Sequence, residues 1–205
     1  METKKRNKKG LGLMLAGLLL VAAAVGLVLY NRAEDDRAGE QSELILTELE
    51  KATSHAQLES LDGQMPMISI DGRDIVGHVV IESLEIDLPV LAYWDEEAAK
   101  DAPARYTGSV WLDNMVLCGH NYRRHFAPLH DIETGAEVRF VDVNGNEFVY
   151  EVTEIFNLGP KQVLEMISGE DWDLTLFTCT MGGQSRITVR CVRKKSIPAA
   201  SQTAP

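Results

Sequence analysis

Leu174-Thr175-Leu176-Phe177-Thr178-Cys179-Thr180, followed by Arg186-Ile187-Thr188-Val189-Arg190, is the stretch around which the rest of the chain reads. An apolar, β-branched run that ends on a cysteine, turns through Gly182-Gly183 and resumes in alternation predicts a strand pair with a thiol at its mouth. Alternation sets Ile187, Val189 and Cys191 on one face and Arg186, Thr188 and Arg190 on the other. If the apolar set faces a core, the arginines face a groove or solvent. A thiol works as a nucleophile only where a cation or base raises its thiolate fraction and something stabilises the oxyanion its attack creates. Cys179, His120 at the end of an earlier apolar run, and Arg186 supply those three parts. Taken singly, each has a plainer reading as a buried thiol, a capping histidine or a solvated arginine.

Working outward, Ile75 to Ile81 and Ile86 to Leu91 read as short strands, and Val110 to Gly119 carries an apolar run straight into His120-Asn121. Arg124 to Ile132 suits a short helix or a turn rich in 3₁₀ structure. Val138 to Val143 and Phe148 to Phe156 flank Asn144-Gly145, a strong hairpin signal. Gly159-Pro160 breaks the pattern, and Lys161 to Ser168 has helical periodicity. About seven short strands with only brief helices predict a β-barrel or sandwich.

The beginning of the chain differs from the rest. Leu11 to Tyr30 is an uncharged apolar run of the length a helix needs to cross a bilayer, and Lys4, Lys5, Arg6, Lys8 and Lys9 precede it. The positive-inside rule then places residues 1–10 in the cytoplasm and everything after Tyr30 outside. A cleavable signal peptide, suggested by Ala22-Ala23-Ala24, fits less well because these alanines sit inside an apolar run longer than the usual ~7–15 residues. Residues 31–66 read as a stalk or an N-terminal helix lying on the domain, 67–193 as the folded body and 194–205 as a disordered tail. Residues 31–205 hold 15 basic and 30 acidic side chains. Such an acidic body, with no basic stripe, argues against nucleic acid as a partner.

Three cysteines are too few for a disulfide framework; Cys118 with Cys191 is the one pairing that leaves Cys179 free, and two buried free thiols are the simpler reading. Cys118, His120, His125 and His130 are of metal-ligand type, but their spacing matches no common zinc pattern. No cofactor is expected.

Thr175-Leu176-Phe177-Thr178-Cys179 resembles the Thr-Leu-x-Thr-Cys signature of sortases, the cell-wall cysteine transpeptidases of mostly Gram-positive bacteria. Val116-Leu117-Cys118-Gly119-His120-Asn121 resembles the strand that carries the family's histidine. Phe126 to Ile132, through Gly135-Ala136-Glu137-Val138, resembles the segment after it, with Ala136 where an acidic residue is frequent. Arg186 lies where the family's essential arginine falls. Arg190 shares its strand face, and the short turn Met181 to Ser185 favours Arg186.

The resemblance implies a mainly β fold, a closed mixed barrel of about seven to eight strands with short helices, behind one transmembrane helix. It implies a membrane-anchored transpeptidase acting outside the cell on surface proteins that carry a Leu-Pro-x-Thr-Gly-like sorting motif. Cys179 would attack the motif's threonine carbonyl, His120 would act as acid and base, and Arg186 would stabilise the oxyanion or hold the substrate backbone. The acceptor would be a primary amine from a peptidoglycan precursor or a lysine of another surface, pilin-like protein. Asn157 to Asp173 would overlie the site and decide motif selectivity, and Thr178 has an even claim to shaping the site or to being a plain strand residue. Other readings are a non-enzymatic exported β-domain used for binding at the cell surface, and a hydrolytic cysteine protease of another fold.

Overall fold

A computed structural model describes residues 8–53, 64–180 and 182–194, and the chain divides after Arg37 into two units. The expected tail, apart from Lys194, and part of the expected stalk lie outside the described residues.

The first unit is helical. Helix α1, Lys8–Thr53, begins in it, and leucines such as Leu13, Leu18 and Leu20 are exposed along its length. By length and composition it is the one helix among the described residues apolar enough to cross a membrane.

The second unit is a closed barrel. Its strands are β1 (Ile68–Ile70), β2 (Arg73–Ile81), β3 (Ile86–Leu91), β4 (Ala104–Thr107), β5 (Met115–Gly119), β6 (Glu137–Asp142), β7 (Glu147–Leu158), β8 (Leu174–Cys179) and β9 (Arg186–Arg193), with α2 (Val163–Ile167) between β7 and β8. They pair in the order β1-β2-β3-β4-β5-β8-β9-β7-β6, and β6 returns to pair with β2. Eight strands thus form the ring, and β1 hangs on its outside. The sheet is mixed: β5 and β8 run parallel over five residue pairs, from Met115 opposite Leu174 to Gly119 opposite Thr178. The expected 3₁₀ segment lies at Ala127–Asp131. The Asn144-Gly145 hairpin joins β6 and β7, with the buried Asp142 carboxylate accepting from the backbone N–H of Asn144 and of Asn146, both at 2.9 Å.

Side chains alternate between two apolar clusters. Met115, Leu117, Leu174, Leu176, Val189 and Cys191 fill one; Val116, Cys118, Phe177, Trp172 and Met166 belong to the other. Both faces of β5 and β8 are therefore buried, which is why their sequences are nearly continuous apolar runs.

Within this second unit, the end of α1 lies on the barrel. Ala38, Ser42, Ile45 and Leu49 are buried at a spacing that makes one helix face. Ser42 Oγ donates to the Asp101 carbonyl at 2.6 Å, and His125 Nε2 lies 3.0 Å from Ser42 Oγ and 3.2 Å from the Ala38 carbonyl. The carbonyl can only accept and the Ser42 proton is spent on Asp101, so Nε2 carries the imidazole proton. His125 Nδ1 is buried with no hydrogen-bond partner among the described residues, so a second proton would have none of them to bond. Burial holds this histidine neutral, lowering its pKa from 6.5 to about 4.

The unfolded chain therefore binds this proton first as pH falls. The stability is fully present above pH 6.5 and declines toward pH 4, by about 3 kcal/mol for a shift of this size. His125→Gln, which cannot titrate, is expected to flatten the decline in thermal stability across that window. An equally steep decline in the variant would assign it to other groups.

Candidate active site

Three neighbouring strands bring the expected residues to one end of the barrel. Cys179 ends β8, Arg186 opens β9 directly opposite it, and His120 follows Gly119, which ends β5 opposite Thr178. All three line a single cleft of about 280 Å³, together with Trp94, Glu96, Tyr106, Cys118, Gly119, Val163, Met166 and Phe177.

The strand ends are locked in place. Thr178, fully buried, donates its hydroxyl proton to the Gly119 carbonyl at 2.9 Å, tying the His120 strand to the Cys179 strand. Thr178 thus has a specific structural task beside the cleft. The connection to β9 is closed by Thr180 N–H donating to the Ser185 carbonyl at 2.8 Å and Ser185 N–H donating to Thr180 Oγ1 at 3.1 Å. Gly182 and Gly183 take φ of 82° and 68° between them, a conformation that side chains disfavour.

Gly119 is required by close approach. A Cβ there would sit 2.9 Å from the ring of Phe126, which is fully buried. Gly119→Ala is expected to cost about 1–3 kcal/mol by overpacking and to displace His120. Thermal denaturation and the chemical shifts of the His120 ring would report both; a variant unchanged in each would show that the contact gives way freely.

The thiols differ sharply. Cys179 is exposed, whereas Cys118 and Cys191 are buried and unbridged. Burial pushes both of those thiols well up, the Cys118 Sγ also donating weakly to the Ala104 carbonyl at 3.6 Å. Only Cys179 offers its sulfur to solvent.

His120 is half buried, and burial lowers its pKa, opposed by a hydrogen bond with the Glu96 backbone. Its ring is flanked by those of Trp94 at 5.8 Å and Tyr122 at 5.3 Å. The carboxylates nearest in sequence are placed elsewhere: Asp113 pairs with Arg193 at 3.0 Å, and Asp131 ends the Ala127–Asp131 segment. His120 Nε2 and Arg186 Nη1 are both buried without a hydrogen-bond partner among the described residues. Unpaired buried donors and acceptors are uncommon, and these two line the same cleft as the exposed Cys179 thiol.

Arg190 is a different matter. Its Nη1 donates to the Met166 carbonyl at 2.9 Å and to Thr175 Oγ1, and its Nη2 to the Glu165 carbonyl at 2.6 Å. The guanidinium also lies 4.2 Å from the centre of the Trp172 ring. Alternation puts Arg190 on the face of Arg186, but that face is covered here by the segment around α2, so the side chain is buried rather than open to a groove or solvent. It pins α2, whose Val163 and Met166 form one wall of the cleft. Trp94 and Glu96, contributed by the connection between β3 and β4, are cleft residues that strand periodicity does not reveal. The metal-type residues do not assemble: His125 is bonded to the α1 segment, and no group of three or more His, Cys, Asp or Glu gathers as ligands among the described residues.

A family model described as the Sortase domain matches residues 79–194, and the chain belongs to the sortase family. A curated relative, Sortase A of Bacillus anthracis, is 28% identical over 118 residues, covering 54% of this chain and 55% of the relative. The match thus spans about half the length of that relative. Among solved structures, sortase C1 from Streptococcus suis is 26% identical with a TM-score of 0.53, covering 60% of this chain and 75% of that one. A Clostridium perfringens Sortase D5 transpeptidase shares the fold at 17% identity and a TM-score of 0.54, covering 80% and 99% of the two chains. Sortases A, C and D are all represented, so the comparisons leave the class unassigned.

Proposed function

We propose that this chain is a membrane-anchored cysteine transpeptidase that cleaves a Leu-Pro-x-Thr-Gly-like sorting motif through a Cys179 thioester and passes the acyl group to a primary amine. In this reading residues 11–30 anchor the chain with residues 1–10 in the cytoplasm, 31–66 are a stalk or an N-terminal helix lying on the domain, 67–193 work outside the cell, and 194–205 are a tail. The partners are surface proteins bearing the motif and an amine from a peptidoglycan precursor or a protein lysine.

The observation that carries the reading is the exposed Cys179 thiol sharing one cleft with the unpaired His120 Nε2 and Arg186 Nη1. Cys179 sulfur attacks the threonine carbonyl, and Arg186 donates to the oxyanion that forms. His120 protonates the departing glycine nitrogen and later takes a proton from the incoming amine. Its lowered pKa suits the second task, since a neutral ring is the one that can accept. Val163 and Met166, on the segment over the cleft, supply apolar surface for the motif's leucine and proline.

The test is product analysis with the full-length chain in detergent, a fluorescent sorting-motif peptide and an added amine. An amide product that outweighs the free acid supports transpeptidation. Acid alone at saturating amine would make the enzyme a hydrolase, and no cleavage of any such peptide would leave the domain a binding module.

A further inference from the structure

The connection between β3 and β4 carries three acidic side chains in a row, and two are already committed. Asp95 Oδ1 accepts from the backbone N–H of Glu97 at 3.0 Å and of Ala98 at 2.9 Å, and Glu97 bonds Lys100 Nζ at 2.6 Å. Those contacts fix the backbone on both sides of Glu96. Glu96 itself lines the cleft with His120, Cys179 and Arg186, and its carboxylate makes no salt bridge among the described residues. Its charge reaches His120, tending to raise that ring's pKa against burial.

Next to it, Trp94 is 39% exposed, and its ring lies 5.8 Å from that of His120. A half-exposed indole face beside an unpaired carboxylate is the combination that favours an ammonium group, one by ring quadrupole and the other by charge. The cleft also has a way out here. Trp94 and Tyr106 line both the cleft and an adjoining groove of about 490 Å³ with Ala92, Tyr93, Arg105 and Thr107. Of the nearby cations, Arg105 is turned onto the carbonyls of Ala92 and Gly108, at 3.1 and 3.0 Å, and Lys100 is paired with Glu97, while Arg186, which lines the same cleft opposite Cys179, is committed to the oxyanion in the transpeptidase reading.

We propose that Trp94 and Glu96 form the subsite that holds the primary ammonium of the acyl acceptor beside His120, with the rest of the acceptor leaving along the groove past Tyr106. This rests on the transpeptidase reading and adds to it the residues that choose the amine. In the transfer step the thioester C–S bond breaks and a C–N bond forms. The ammonium gives up two protons on becoming an amide nitrogen: neutral His120 takes one, and the other ends on the Cys179 sulfur, regenerating the thiol. Glu96 stays ionised throughout and holds the acceptor until its proton has moved to His120.

The experiment compares two nucleophiles on the same acyl-enzyme, formed by the full-length chain with a sorting-motif peptide. Nα-acetyl-lysine amide carries an ammonium at neutral pH, whereas hydroxylamine is uncharged. The ratio of lysine capture to hydroxylamine capture is expected to fall about fivefold in Glu96→Gln, the scale of one solvent-exposed charge pair, and further in Glu96→Lys. Added salt should lower the ratio in the wild type and leave Glu96→Gln nearly unmoved. An unchanged ratio in both variants, with acyl-enzyme plainly formed, would overturn the subsite and leave the transpeptidase reading standing. Failure of the wild type to form any acyl-enzyme would overturn both.

Discussion

Replacing Cys179 with alanine is expected to lower turnover of a sorting-motif peptide by a factor of about 10⁴ or more, as removal of a covalent nucleophile generally does. The fold should survive, since the thiol is exposed at the end of β8 and is not in a disulfide. An exposed substitution of this kind changes stability by only about ±0.5 kcal/mol. Cys118 cannot take over. It is buried one strand away, its thiol pushed up by burial and directed to the Ala104 carbonyl. Peptide turnover alongside a melting curve checks the prediction. Activity retained in a folded Cys179→Ala chain would remove the nucleophile from the account.

The second large effect separates two arginines on one strand face. Arg186→Ala is expected to lower kcat by about 10²–10³, the range for losing one donor to a developing oxyanion, with little change in stability because its Nη1 has no partner to lose. Arg190→Ala should do the reverse. It strips donors from the carbonyls of Met166 and Glu165 and from Thr175 Oγ1, all around a buried guanidinium, and should cost about 3 kcal/mol of stability. The activity lost with Arg190 should appear mainly as a raised KM, because the Val163 and Met166 wall of the cleft loosens. Steady-state kinetics and thermal denaturation on both variants decide the matter. If Arg190→Ala lost kcat at full stability while Arg186→Ala lost stability, the two roles would have to be exchanged.

Much of this arrangement is legible in the residues themselves. The runs Met115–Gly119 and Leu174–Cys179 are nearly continuously apolar because both faces of this parallel pair are covered, and each ends abruptly on a residue that meets the cleft. Asn144-Gly145 announced its hairpin, and Gly159-Pro160 the break before α2. Strand β4 left no such mark: Ala104–Thr107 is four residues long, bonded to β3 through one residue pair and to β5 with a bulge. Alternation correctly paired Arg186 with Arg190, but it specifies a face and not what lies over it. The cover on Arg190 comes from residues 165–168 and Trp172, a contact set by tertiary folding. Trp94 and Glu96 were illegible for a similar reason, because an irregular connection has no period and reaches His120 only once the barrel closes. The one local hint was Asp95, whose side chain caps the backbone of Glu97 and Ala98 as aspartates at turn starts commonly do.

The central claim is that Cys179 forms a thioester with the acyl half of a sorting motif. The most direct measurement is intact mass of the full-length chain, quenched in acid after mixing with Leu-Pro-x-Thr-Gly-like peptides, with peptide mapping of the adduct. The account predicts a mass gain equal to the peptide truncated after its threonine less one water, located on Cys179, absent in Cys179→Ala and discharged by added amine. A folded chain that shows no adduct with any such peptide, or carries it on Cys118 or Cys191, would contradict it.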